Sequence, residues 1–353
     1  MMERNNEWLT RAECSAMRGM AIMAIMLHNY CHWLAPAVKE NEYLYHETNN
    51  DRLLDALTHP SDMPTVLQLV SYFGHYGVPV FLFLSGFGLV LKYERSDNRT
   101  PATEFLRSHF VKLFTMMMAG FAAFTAIDAI TPGAHHYRFS DIVAQMLMYI
   151  NMLPRPDKII WPGPYWFFGL MMQLYIVYRL AIYRRHWGVM TVLVTLCWFV
   201  QTLYCDSPEG DTLNRLRYNC IGGMMPFCAG VLAARVRPAA AVCRMSRWQW
   251  ALAAVVTCAV LFFFCFNFHT WLWVPLLVIV AGAATVKALP ERALVPLTWT
   301  GALSAVIFVI HPIFRKIFIP ISHRGDICTG VLLYVVATLA TAWMIGRVTR
   351  TRK

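Results

Sequence analysis

Residues 11–36 read RAECSAMRGMAIMAIMLHNYCHWLAP, and within them the apolar run 19–27 is interrupted by no charged residue. Arg18 precedes this run, His28 follows it, and His32 comes one helical turn later. With its flanks the stretch can cross a bilayer as a helix, because about 20 mostly apolar residues at about 1.5 Å each suffice. Arg18 and His28 would then lie roughly 15 Å apart along the axis. Ionisable side chains in such a helix are costly to bury, so both are candidate functional residues.

Other interpretations of these side chains stay open. Arg18 could anchor the helix at the cytoplasmic surface, and His28 could be a buried histidine that bonds to a neighbouring helix. His28 and His32, at positions i and i+4, could also present two imidazoles to a metal ion. The sequence shows no obvious third ligand, so we predict no metal site.

Composition predicts a membrane protein. Of 353 residues, 58% are hydrophobic and only 14% are charged, with a mean hydropathy of +0.45. A soluble domain has about a quarter charged residues. The net charge of +11 is spread over short loops between apolar runs, which fits membrane topology better than nucleic-acid binding. The ten cysteines have no CxxC or other metal-type spacing. The N-terminus is polar and no cleavage site follows the first apolar run, so we predict that the first span is retained in the mature protein.

The predicted fold is an all-α, polytopic helix bundle that forms one domain over residues 1–353. Ten apolar stretches are predicted to span the membrane: 16–36, 66–91, 108–130, 164–183, 187–205, 219–236, 249–267, 270–288, 301–320 and 327–346.

The loop charges predict the orientation of this bundle. Alternate loops and the tail are basic, whereas loops 37–62 and 206–218 are more acidic, so both termini are predicted to be cytoplasmic. Residues 140–153 are apolar but short for a span, and we predict a re-entrant or interfacial helix there.

Further candidate residues lie on later helices. His75 lies near the outer end of the second span, and His311 lies within a late apolar run, directly before Pro312. Each histidine could belong to a site or could simply occupy a helix kink.

Two clusters suggest binding surfaces at opposite faces of the membrane. Arg107 and Lys112 lie on the cytoplasmic side at helical spacing, where with Arg18 they could hold phosphate groups, although ordinary interfacial charge also explains them. Tyr165 and Trp166 lie at an outer helix end, where an aromatic belt or a surface that stacks on sugar rings would both use such residues.

Several stretches together resemble acyltransferase family 3, a family of integral membrane O-acyltransferases. In chain order, the matching stretches are MRGMAIMAIMLHNY, FLFLSGFGLVLKY, FLRSHFVKLF, PYWFFGLMMQLY and GALSAVIFVIHPIF. The resemblance implies transfer of an acyl group, usually acetyl, from cytoplasmic acyl-CoA to a hydroxyl of a glycan or related acceptor across the membrane. It matches Arg18 and His28 to the family's first-helix arginine and histidine. The family usually has ten residues between these two, whereas this chain has nine, which places Asn29 in the family's register and turns His28 about 80° from Arg18.

The resemblance implies acetyl-CoA as co-substrate and a carbohydrate or lipid-linked glycan as acceptor. With the apolar composition, we expect a multi-pass location in the cell (inner) membrane among its lipids. His28 is the expected general base. The expected catalytic residues are His28, Arg18 and His311; Arg18, Arg107 and Lys112 are expected to bind the coenzyme, and His75, Tyr165, Trp166 and His32 the acceptor.

Two other function classes stay open at this point. A transporter or flippase for glycan or lipid-linked intermediates would also bury histidines and arginines along its pathway, although no inverted repeat is visible. A non-catalytic membrane scaffold or sensor would not explain the order of the five stretches.

Overall fold

The structure is a computed structural model that describes residues 8–59, 62–96, 99–205, 207–236, 238–239, 242 and 244–351. It is 78% helix, and no strand occurs in these ranges, which confirms the all-α class. Residues 206, 237 and 352–353 of the predicted loops and tail lie outside the described residues.

The helices of the described ranges are numbered here in chain order. They are α1 (Arg11–Cys31), α2 (Glu47–Thr58), α3 (Thr65–Phe73), α4 (Gly77–Leu89), α5 (Ala102–Ile130), α6 (Phe139–Met146), α7 (Pro156–Ile159), α8 (Trp166–Val177), α9 (Trp187–Leu203), α10 (Asp211–Arg217), α11 (Cys220–Arg235), α12 (Arg247–Phe264), α13 (Phe268–Trp271), α14 (Val274–Ala288), α15 (Glu291–His323) and α16 (Ile327–Thr351). A 3₁₀ turn, Gly74–Tyr76, joins α3 to α4, and π-helical turns extend α4 to Glu94 and α8 to Ile182.

Each of the ten predicted stretches overlaps one or more of these helices, but fewer of them are long and apolar enough to cross a membrane. Within the described chain, six helical segments meet both conditions: Thr65–Glu94, Ala102–Ile130, Gly163–Ile182, Arg247–Phe264, Glu291–His323 and Ile327–Thr349. The count of ten spans and the cytoplasmic location of both termini therefore stay predictions. Residues 140–153 overlap the eight-residue α6, which is far too short to cross a bilayer.

Helix α1 lies at the centre of the bundle, packed against α3, α4, α14, α15 and α16. Its first turn is closed by a capping box, in which Thr10 Oγ1 accepts from the Glu13 amide at 3.2 Å and Glu13 Oε2 accepts from the Thr10 amide at 2.7 Å. Glu13 also pairs with Lys287 Nζ of α14 at 3.1 Å. These bonds satisfy amides that a helix start leaves unpaired, and they fix where α1 begins.

Glycines allow α1 and α15 to approach until their backbones touch. A Cβ at Gly19 would meet the Leu297 carbonyl oxygen, and one at Gly301 would meet the Ser15 carbonyl oxygen. Small residues at a membrane-helix crossing permit this close packing. The crossing holds the Arg18 end of α1 against α15.

We expect Gly19→Ala to destabilise the protein by about 1–3 kcal/mol, because the added methyl must push against backbone rather than a flexible side chain. The matched control is Gly282→Ala, where the nearest heavy atom, Met17 Cε, lies at an ordinary 3.5 Å from the added Cβ. Thermal midpoints of the detergent-purified proteins measure the difference. Equal midpoints for the two variants would contradict the close crossing.

Candidate active site

A cavity of about 620 Å³ lies between α1, α4, α5, α8 and α15 and is lined at one end by the segment after α1. Arg18, His28 and Glu40 all line it. Arg18 lies ten residues before His28 on α1, and Glu40 lies beyond the end of that helix, so Arg18 and Glu40 mark opposite ends of the cavity.

The end of the cavity near Arg18 is cationic. Lys92, His109 and Lys112 line the same region, and the His109 ring packs against Tyr175 at 4.4 Å. Within the described ranges, no carboxylate forms an ion pair with Arg18, Lys92 or Lys112. Cationic side chains without a protein counter-charge are suited to bind phosphate groups.

His28 lies in the last turn of α1 and is only 3% exposed. Its Nδ1 lies 2.8 Å from the Ser71 carbonyl oxygen of α3. A carbonyl can only accept, so Nδ1 carries the proton and, in the neutral ring, Nε2 keeps its lone pair. Nε2 lies 3.7 Å from Glu42 Oε2, on the cavity side. The ring therefore presents a proton acceptor to the cavity.

Gly74 lets the α3–α4 turn pass close to this ring. A Cβ at Gly74 would lie 2.7 Å from the Cβ of His28 and 2.6 Å from the Ala24 carbonyl oxygen. Because Gly74 has no side chain, the Ser71 carbonyl stays within hydrogen-bonding distance of His28 Nδ1.

Two histidines and two carboxyl groups surround His28. The His32 ring lies 4.7 Å from it and the His75 ring 5.4 Å, centroid to centroid. Glu40 Oε1 lies 3.3 Å from His32 Nδ1. Glu40 thus supplies the third group that the sequence does not show beside His28 and His32, and Glu42 comes close to both His28 and His75.

A buried amide network positions Glu40 and Glu42. Between them Asn41 is fully buried; its Oδ1 accepts from the Asn49 side chain at 3.0 Å, and its Nδ2 donates to Asn50 Oδ1 at 3.0 Å. The indole of Trp271 donates to the Asn41 carbonyl at 2.7 Å. Both carboxyl groups are thereby held against the end of α1.

The environments of these two carboxyl groups differ. Burial raises the pKa of Glu42 well above its ordinary value, and the nearby charge of Glu40 adds to this. Burial also opposes ionisation of Glu40, but the imidazoles of His32 and His28 outweigh it and hold the pKa of Glu40 below its usual range. The surroundings therefore shift the pKa values of the two carboxyl groups in opposite directions, and Glu40 loses its proton more readily than Glu42.

Aromatic side chains line the same end of the cavity. Trp166 meets Tyr43 edge to face at 5.1 Å, and Tyr43 stacks on Tyr218 at 3.8 Å. Trp33 and Trp161 also line this end, their rings 5.5 Å apart.

A buried arginine joins these aromatic rings to α1. The Arg315 guanidinium lies 5.4 Å from the Trp33 ring and 5.3 Å from the Trp161 ring, and its Nη1 donates to the Asn29 carbonyl at 3.2 Å. Aromatic rings beside carboxyl groups and a guanidinium offer both stacking and hydrogen bonds to a polar, ring-shaped ligand.

The structure brings most of the predicted site residues to this cavity. Those that line it are Arg18, His28, His32, His75, Lys112 and Trp166. Arg107 is exposed and outside the lining. Tyr165 is buried and its hydroxyl donates to the Val309 carbonyl at 2.8 Å, while His311 is buried with Nδ1 3.1 Å from the Ile307 carbonyl oxygen, and neither lines the cavity.

The shortened spacing between Arg18 and His28 produces no irregularity in the helix. Residues 11–31 form one continuous α-helix, and both side chains still line the cavity, because it wraps around this face of α1. Asn29, in the family's register, donates its side-chain amide to the Ile25 carbonyl at 2.9 Å.

Sequence reasoning missed Glu40, Glu42 and Arg315. The two carboxyl groups entered the topology argument only as charges of the loop that follows α1, and nothing in their spacing from His28 indicates that they return to it. Arg315 lies four residues after His311 in an apolar run, where an ionisable residue is a site candidate.

A family model described as an acyltransferase domain, that of acyltransferase family 3, matches residues 12–347. The match covers nearly the whole chain, including all the cavity-lining residues named above. Neither a search of curated proteins nor a search of solved structures gave a significant match. With its several apolar helices, the chain belongs to acyltransferase family 3 and is a multi-pass membrane acyltransferase.

Proposed function

We propose that the protein transfers an acetyl group from cytoplasmic acetyl-CoA to a hydroxyl of a carbohydrate or lipid-linked glycan at the far face of the cell (inner) membrane, with His28 as general base. The observation that supports this best is a single cavity with a cationic end and an aromatic, carboxyl-lined end, and with His28 Nε2 facing it.

The coenzyme binds at the cationic end. Arg18, Lys92 and Lys112 contact its phosphates, since ammonium and guanidinium groups form charge-assisted hydrogen bonds to them. The pantetheine arm then runs along the apolar middle of the cavity, where Leu84 and Phe168 are among the lining residues. This leads the thioester towards His28.

The acceptor binds at the other end, with a sugar ring against Trp161 or Trp166 and its hydroxyls bonded to the carboxyl groups. The reacting hydroxyl donates to His28 Nε2. As its oxygen attacks the thioester carbonyl carbon, its proton passes to Nε2 and a C–O bond forms. The C–S bond then breaks, and the departing thiolate takes the proton back, so His28 ends neutral.

His75 is suited to assist at the carbonyl. It is buried beside His28 and neither ring nitrogen meets the geometry of a hydrogen bond to any described group. In the neutral ring one nitrogen carries a proton, and that N–H can donate to the oxyanion as the tetrahedral intermediate forms.

Proteoliposomes supplied with labelled acetyl-CoA on the side of Arg18 and with a surface-glycan extract on the other test this function. We expect free CoA and labelled glycan to appear together, both dependent on the extract. Transport of glycan without loss of acetyl from the coenzyme would overturn the proposal. Mass analysis of surface glycans from cells with and without the protein then identifies the acceptor.

A further inference from the structure

The residues around His28 form two overlapping groups with the spacing of metal ligands. His28, His75 and Glu42 each offer one ligand atom, and these atoms lie within 4.8 Å of one another. His28, His32 and Glu40 form a second such group. Three imidazoles and two carboxyl groups thus converge, with His28 common to both groups.

Several atoms of this cluster are buried without a well-formed hydrogen bond to the part of the chain that the structure describes. His75 is 3% exposed, and neither of its ring nitrogens meets the geometry of a hydrogen bond to a described residue. His32 Nε2 and Glu40 Oε2 are also buried, and neither forms a hydrogen bond to a described residue. More than nine in ten buried polar groups in proteins are hydrogen-bonded, so such a concentration at one point indicates a ligand that satisfies them.

His28 is also oriented as metal-bound histidines are. Its Nδ1–H donates to the Ser71 carbonyl at 2.8 Å, which fixes the tautomer and leaves Nε2 free to coordinate. Two imidazoles and one carboxylate with an open fourth position form a common zinc coordination set. Ligand atoms around a tetrahedral zinc lie about 3.4 Å apart, and the 3.7 Å between His28 Nε2 and Glu42 Oε2 is close to this.

We propose that His28, His75 and Glu42 bind a divalent transition metal of the zinc class, and that the bound metal inhibits acyl transfer. Imidazole ligands favour zinc, copper and nickel over magnesium and calcium. A metal on Nε2 uses the lone pair that would accept the proton of the acceptor hydroxyl. The inhibition rests on the proposed function; the binding does not.

Metal binding is tested without any activity assay. The detergent-purified full-length protein is stripped with a chelator and titrated with Zn²⁺ in competition with a chromophoric zinc chelator of micromolar affinity. We expect one tight zinc per chain, with affinity at least about tenfold weaker in Glu42→Gln and in His75→Gln. His269→Gln, which changes an exposed histidine on α13, is the control and should bind zinc as the unchanged protein does.

The site would be overturned if the unchanged protein and both cluster variants bound zinc with equal affinity. It would also be overturned if the unchanged protein bound less than one Zn²⁺ per chain in competition with the chelator. Glu42→Gln keeps the size and shape of the side chain, so its fold should persist even where that of His75→Gln does not, and its thermal midpoint without metal checks this.

Inhibition is measured on the stripped protein with rising Zn²⁺. We expect half-inhibition at a Zn²⁺ concentration equal to the dissociation constant, and recovery of activity when chelator is added. In Glu42→Gln the concentration for half-inhibition should rise by the same factor as the dissociation constant found in the titration. Equal transfer rates with and without bound zinc would refute the inhibition alone. A stripped protein that never consumes acetyl-CoA would refute the proposed function, and the zinc titration would still decide the site.

Discussion

Replacement of His28 by asparagine is expected to lower the rate of acetyl transfer by about 10²–10⁴-fold, the usual contribution of a positioned general base. The asparagine amide nitrogen falls near the position of Nδ1, so it can still donate to the Ser71 carbonyl. What the substitution deletes is Nε2, the atom that faces the cavity. The variant thus separates the loss of a proton acceptor from the loss of a structural hydrogen bond.

Initial rates of CoA release, measured against both substrates, show where the effect lies. We expect kcat to fall and KM for acetyl-CoA to change little, since the cationic end lies roughly 15 Å along α1. His269→Asn is the matched control, because it makes the same change at an exposed histidine. A stable His28→Asn protein with more than about half the normal kcat would show that another group takes the proton.

The sequence predicts the first helix, and it also predicts the two residues, Arg18 and His28, that this helix brings to the cavity. An uncharged apolar run with an ionisable residue at each end determines both a helix and two costly side chains, so Arg18 and His28 follow from local pattern alone. Which neighbours a helical residue meets is harder to predict. Tyr165 and Trp166 are adjacent, but successive helical residues differ by about 100°, and only Trp166 lines the cavity.

Long-range packing explains what the sequence could not show. Glu40 and Glu42 reach His28 because Asn41, between them, bonds to residues of α2 and to the indole of Trp271, about 230 positions later in the chain. No periodicity encodes such contacts. Likewise Arg107 and Lys112 differ by about 140° around α5, so one faces outward and the other the cavity, and the choice depends on the helices that pack against α5.

The double variant Arg18→Gln, Lys112→Gln is expected to raise KM for acetyl-CoA by about 10–100-fold. Hydrogen bonds to charged groups contribute about 1.5–3 kcal/mol each, and every 1.4 kcal/mol is a factor of ten in affinity. The expected rise in KM is smaller than two full hydrogen-bond contributions would give, because Lys112 is exposed and solvent screens its charge. Arg292→Gln removes an exposed cation on α15 that does not line the cavity, and KM should stay within about twofold.

A second donor distinguishes contact with the phosphates from general damage to the cavity. Acetyl-pantetheine carries the same thioester and the same apolar arm but lacks every phosphate group. If the two cations bind phosphate, the double variant and the unchanged protein should use acetyl-pantetheine with the same KM, and only the KM for acetyl-CoA should separate them. An equal rise in KM for both donors would mean that Arg18 and Lys112 shape the cavity rather than bind the coenzyme, and the cationic end would then need another anionic ligand to explain why no described carboxylate pairs with it.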